Sequence, residues 1–300
     1  MTACKDKRPA NPFFEKWETA YEIPPFDRIA VSDYREAFLK GMEEQTAEVE
    51  AIVKNPETPS FENTLVALDA SGQLLTKVTG VFFAESSSNG TDEILALESE
   101  IIPLLTQHSD KIYMDTQLFE KVKYVQEHTD SAALAPEDYR LLHETYLDFV
   151  RNGVNLPEDK ALELKKINEE LSKLENKFGQ NVLSETGSYR LIIDNKDDLS
   201  GLSVGLIASA AHRAEKADLE GKWVFGLDNP SIMPFLASSD NKELRNKLLT
   251  AYLNRCNNNN EYDNKENLKN IVLLRDKKAK LLGYPNFAEY ILERRMAKNS

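Results

Sequence analysis

The chain has 300 residues, enough for one large domain or two, and its 41% hydrophobic and 29% charged content is that of an ordinary globular protein. Fifty acidic against 37 basic residues give a formal charge of −13, a field that repels phosphate backbones and argues against nucleic acid as a partner. No apolar run approaches the roughly 20 residues needed to cross a bilayer, so no transmembrane segment is expected.

Residues 1–12 read as a flexible polar tail. Within it, Met1-Thr2-Ala3-Cys4 followed by Lys5-Asp6-Lys7 resembles the end of a bacterial lipoprotein signal, where small residues precede the cysteine that is acylated. Cys4 is therefore a candidate lipidation site and the tail a candidate tether. No apolar segment precedes it, which fits a chain begun at the cleavage point behind an added Met. The other reading of Cys4 is an exposed thiol in a frayed terminus. The second cysteine, Cys256, lies too far away for a metal-ligand spacing and reads as an inert thiol.

From residue 13 to 300 the dominant signal is helical periodicity. Residues 32–53 carry Phe38, Met42, Val49 and Ile52 on one side and stop ahead of Asn55-Pro56. Helices are expected next over 61–83, 92–107 and 117–127. Over 136–153, Tyr139, Leu142, Tyr146 and Phe149 share a face and Gly153 can supply a left-handed cap. The longest helix is predicted over 157–185, where Leu164, Ile167, Leu171, Leu174, Phe178 and Val182 recur at steps of three and four. Further helices fit 202–219, 241–255, 265–282 and 287–298. Two segments break the period: Tyr189-Arg190-Leu191-Ile192-Ile193 and Trp223-Val224-Phe225-Gly226-Leu227 are short and β-branched or aromatic, predicting a small two-stranded ribbon. Asn257 to Asn260 is an amide run and hence a loop. The expected class is mainly α, one continuous helical body with at most that ribbon.

The side chains that could carry chemistry are few. His143-Glu144-Thr145-Tyr146-Leu147 begins a His-Glu-x-x-His zinc motif and fails it, because Leu147 stands where the second imidazole belongs. His143 therefore reads as structural, and His108, His128 and His212 have no histidine or cysteine at ligand spacing. Gly201 to Gly205 lacks the third glycine and the preceding strand of a phosphate loop, and no Gly-x-Ser-x-Gly elbow occurs. Acidic pairs such as Glu43-Glu44 and Glu169-Glu170 diverge on helices as solvated faces. No catalytic, cofactor-binding or metal-ligating residue is assigned.

Six strings in order go further. Pro59-Ser60-Phe61-Glu62-Asn63-Thr64 is followed by Asp148-Phe149-Val150-Arg151-Asn152-Gly153 and by Phe178-Gly179-Gln180-Asn181 through Ser184-Glu185-Thr186. Then come Trp223-Val224-Phe225 with Asn229-Pro230-Ser231, Ala251-Tyr252-Leu253-Asn254-Arg255, and Leu274-Arg275-Asp276 through Leu282-Gly283-Tyr284. The set resembles the thimet oligopeptidase and oligopeptidase A family of zinc metallopeptidases. Asn11-Pro12-Phe13-Phe14, Pro24-Pro25-Phe26 and Arg295-Met296-Ala297-Lys298-Asn299 are most similar to its peptidyl-dipeptidase branch.

The resemblance implies the helical N-terminal portion of a clam-shell peptidase whose channel admits short peptides. It implies zinc in the full-length parent, held by His-Glu-x-x-His and a later glutamate in a C-terminal catalytic region beyond residue 300, which would be this chain's partner. No zinc is expected in this chain, and the chain alone is expected to be inactive. The expected location is the bacterial cell envelope or periplasm, lipid-anchored if Cys4 is acylated, with the cytoplasm as the alternative.

Overall fold

The computed structural model describes residues 10–130 and 134–300, so the Cys4 reading lies outside the described residues. Helices account for 69% of the residues, and among the described residues the strands form one two-stranded antiparallel sheet, bearing out the mainly α class. The chain falls into two compact units, one of Met1–Lys173 with Leu274–Ser300 and one of Leu174–Leu273.

In the first unit, the Asn11 side chain caps the short turn Pro12–Phe14 by accepting from the Phe13 N–H at 3.0 Å, while its amide donates to the Asp33 carbonyl at 2.9 Å. Helix α1 (Val31–Lys54) starts where the Asp33 carboxylate accepts from the Ala30 N–H at 2.7 Å, and it buries Tyr34, Phe38, Val49 and Ile52.

The single helix expected over 61–83 is interrupted. A π-helical turn, Phe61–Val66, runs into a short α-helical turn, α2 (Ala67–Asp69), and α3 (Gln73–Asn89) then begins afresh. Gly72 makes the break with φ of +73°, a conformation that favours glycine, and a Cβ there would lie 2.5 Å from Gln45 Nε2. The apolar period continues across the break, which is why periodicity alone reads one helix.

Helix α4 (Asp92–Tyr113) runs past the expected end at 107, and α5 (Thr116–His128) follows. Helix α6 (Pro136–Arg151) matches its expectation, with Gly153 at φ +86° turning the chain, and α7 (Glu158–Ser188) is the long helix. Two apolar clusters result. One joins Phe13, α1, α3 and α4 around Phe38 and Phe82; the other joins the end of α1 with α5 and α6 around Phe119 and Phe149.

In the second unit, β1 (Leu191–Ile193) pairs antiparallel with β2 (Trp223–Phe225), Ile192 opposite Val224, and α8 (Val204–Glu215) packs on the ribbon. Leu191 and Ile193 face the core and Ile192 faces out, as strand alternation requires. Helix α9 (Asn229–Ser238) lies where no helix was expected. Pro230 suits a first turn that needs no N–H donor, and burial of Ile232 and Phe235 outweighs the bond lost at Pro234. Helices α10 (Lys242–Leu253) and α11 (Lys265–Leu281) agree with expectation, whereas α12 (Phe287–Leu292) stops six residues short of the predicted 298.

Candidate functional site

The six strings are first of all fold devices. Ser60 and Asn63 cap each other: the Asn63 N–H donates to Ser60 Oγ at 3.1 Å and the Ser60 N–H to Asn63 Oδ1 at 2.8 Å. Arg151, its side chain 8% exposed, donates to the Tyr284 hydroxyl at 3.0 Å, to the Glu293 carboxylate and to the Tyr290 carbonyl, and lies 4.2 Å from the Tyr290 ring centre. Arg294 completes this seam against Asp148 and Glu144.

In the second unit the buried Glu185 carboxylate accepts from the Cys256 N–H and from the side-chain amides of Asn258 and Asn260, both at 2.8 Å. Burial raises its pKa, but the N–H donors together outweigh that and hold the carboxyl below its ordinary range. Asn264 extends the network, donating to the Phe178 carbonyl and accepting from Asn181. The amide run is thus a loop, as read, but the side chains of Asn258 and Asn260 reach back onto a charge.

Cys256 sits inside that loop at φ +58° and is 5% exposed. Burial, with the Glu185 charge adding, pushes its thiol up to about 11, so it stays protonated at neutral pH.

Two clefts remain. In the second unit, one of about 410 Å³ is lined by Arg190, Arg213, Lys216, Val224 and Asp228. Arg213 grips Asp228 with a fork of 2.6 and 2.7 Å, which holds the aspartate below the usual carboxylate range. In the first unit, one of about 360 Å³ is lined by Gln45, Asp69, Ser71, His108 and Tyr113 over Leu68, Leu75 and Leu105.

Against known proteins, the profile of Peptidase family M3 matches residues 235–300. The dipeptidyl carboxypeptidase of Escherichia coli (strain K12) is 35% identical over 288 residues, 96% of this chain and 42% of that protein. The chain belongs to peptidase family M3. The relationship extends to a probable cytosolic oligopeptidase A of Arabidopsis thaliana, 30% identical over 98% of this chain and 42% of that protein. Oligopeptidase A of Escherichia coli is 27% identical over 94% of this chain and again 42% of its own length. The chain thus spans less than half the length of these relatives.

For an M3 family, which is zinc-dependent, the metal question follows. Among the described residues no group of three or more His, Cys, Asp or Glu side chains could hold a metal ion. His143 stacks on Tyr139, ring centres 5.9 Å apart and nearly parallel, and Leu147 stays in the place of a second ligand. His143 and its described neighbours therefore do not by themselves make a zinc site. No described helix is long and apolar enough to cross a membrane. What sequence reading missed is the first-unit cleft. Its polar groups come from positions as far apart as Gln45 and His108, and no local motif links them.

Proposed function

We propose that this chain is the N-terminal, channel-forming part of a zinc peptidase that releases dipeptides from the C-termini of short peptides. The observation that carries the reading is the 35% identity to a dipeptidyl carboxypeptidase across 96% of the chain, with six family-like strings in order. In this reading the helical walls act as a steric sieve, and zinc with its ligands comes from a C-terminal catalytic region. That region is the chain's partner. An oligopeptidase A-like endopeptidase is the second reading, supported by the matches to that group at 27–30% identity. A non-catalytic helical peptide-binding module is the third.

The test is to assay the purified chain for dipeptide release and zinc content, alone and mixed with a separately made catalytic region containing His-Glu-x-x-His. We expect no activity from the chain alone and dipeptide release on mixing. Stoichiometric zinc with peptidase activity in the chain alone would overturn the assignment. Release of longer fragments on mixing would favour the endopeptidase, and peptide binding without any cleavage the module.

We place the parent in the cell envelope or periplasm, tethered through an acylated Cys4, with the cytoplasm as the alternative. Replacing Cys4 with Ser in the full-length gene should release the protein to the soluble fraction, whereas unchanged fractionation would reduce Cys4 to a terminal thiol.

A further inference from the structure

The first-unit cleft contains a chain of hydrogen bonds with a defined direction. Ser71 Oγ donates to the Leu68 carbonyl at 2.7 Å, so it can accept from Gln45 Nε2 at 3.3 Å. That fixes the Gln45 amide with Oε1 toward His108 Nε2, 2.7 Å away. An amide oxygen only accepts, so His108 carries its proton on Nε2. Burial, with the Lys111 charge adding, pushes the His108 pKa below the ordinary histidine value, so the ring is neutral and Nδ1 keeps a free lone pair.

Five polar groups of the cleft are left over. Among the described residues, His108 Nδ1, the Tyr113, Ser109 and Thr145 hydroxyls and the exposed Asp69 carboxylate have no hydrogen-bond or ion-pair partner in the protein. Asp69 and Tyr113 line the same cleft, and burial, with the Asp148 and Asp69 charges adding, raises the Tyr113 pKa, so the hydroxyl stays protonated. Two acceptors without protons, one of them a carboxylate, and three hydroxyls able to accept make an acceptor-rich lining. Leu68, Leu75 and Leu105 supply an apolar one. A ligand that satisfies both is rich in donors, positively charged and carried on a hydrocarbon stem.

We propose that this cleft binds a protonated primary amine on a short apolar stem, with the ammonium against Asp69, the Tyr113 hydroxyl and His108 Nδ1 and the stem against the leucines. Two sources share this chemistry, the side chain of a lysine in a peptide and the N-terminal ammonium of a peptide. The proposal requires neither zinc nor a catalytic region, so it stands apart from the peptidase reading.

The test is calorimetric titration of the chain at pH 7 with n-butylammonium, n-butanol, Nα-acetyl-lysine methylamide and trialanine amide. Saturable binding of n-butylammonium, at least tenfold tighter than n-butanol, is expected. Asp69→Asn should weaken it about tenfold and His108→Phe, which keeps a flat ring without the acceptor, several-fold, with circular dichroism showing both variants folded. Binding of the lysine derivative alone identifies a side chain as the source, and binding of trialanine amide alone identifies a chain terminus. No saturable binding of any amine, equal binding of the alcohol, or unchanged affinity in folded Asp69→Asn would each overturn the proposal.

Discussion

Around Phe82 in the first unit, aromatic rings gather edge to face: Tyr34 at 5.1 Å, Phe38 at 5.3 Å and Phe83 at 5.3 Å, with Phe13 against Tyr34. Around Glu185 in the second unit, one carboxylate gathers a backbone N–H and two asparagine amides from a loop about seventy residues further along the chain. Both tie together segments distant in sequence, by opposite physics. The aromatic cluster works mainly by removing apolar area from water, a contribution that needs no charge. The carboxylate works only while charged and only while every donor reaches it, so it holds the loop in one geometry.

The largest effect expected is from Phe38→Ala. The side chain is fully buried, so lost transfer energy and an unfilled cavity should cost about 3–5 kcal/mol in urea unfolding. Hydrogen exchange should accelerate in α1, α3 and α4 and leave the Glu185 loop protected. Equal acceleration in both places would erase the distinction between the two regions.

Glu185→Gln comes next, at about 2–3 kcal/mol, because an amide turns an N–H toward groups that are themselves donors. The pH dependence should differ in the same sense. Donors hold the folded pKa of Glu185 below its unfolded value, so its contribution is complete above the ordinary glutamate range and fades as pH falls through the depressed folded value. Unfolding midpoints measured from pH 7 down to 3 should therefore converge for wild type and Glu185→Gln. A gap constant across that range would mean that the loop is held by packing instead.

Arg151→Met tests the polar seam of the first unit. The buried guanidinium loses its bonds to Tyr284, Glu293 and the Tyr290 carbonyl, at a cost of about 2 kcal/mol, with exchange rising first in α12. Protection of α12 unchanged by the substitution would show that its own packing suffices. The smallest effect is that of Ser60→Ala, about 1 kcal/mol for one lost cap, read as a shift in unfolding midpoint without a change in slope.

How much was legible in the sequence varied with how local the cause is. The ribbon was, because β-branched and aromatic side chains bounded by turns specify a strand within five residues, and Leu191 does pair with Phe225. The long α7 was, because its apolar stripe repeats at the helical period throughout. The break at Gly72 was not, since the apolar period continues through it. Nor was α9, whose two prolines read locally as breakers while the burial that outweighs them comes from other elements. For the candidate sites the division is sharper. Leu147 in place of a second ligand after His143 was visible in five consecutive residues.

The sequence by itself determined the mainly α class, the family strings and the failure of the one incipient zinc motif, because each depends on residues a few positions apart. Only the tertiary structure decided that Asn258 and Asn260 converge on Glu185, that Arg151 is enclosed by Tyr284 and Tyr290, and that His108, Gln45, Ser71 and Asp69 share one cleft. Those groups are separated by up to 139 residues, as between Arg151 and Tyr290, and are brought together by the burial of apolar faces elsewhere on the same elements. Hydrophobic periodicity records which face a helix buries, and carries no record of which polar groups that burial places side by side.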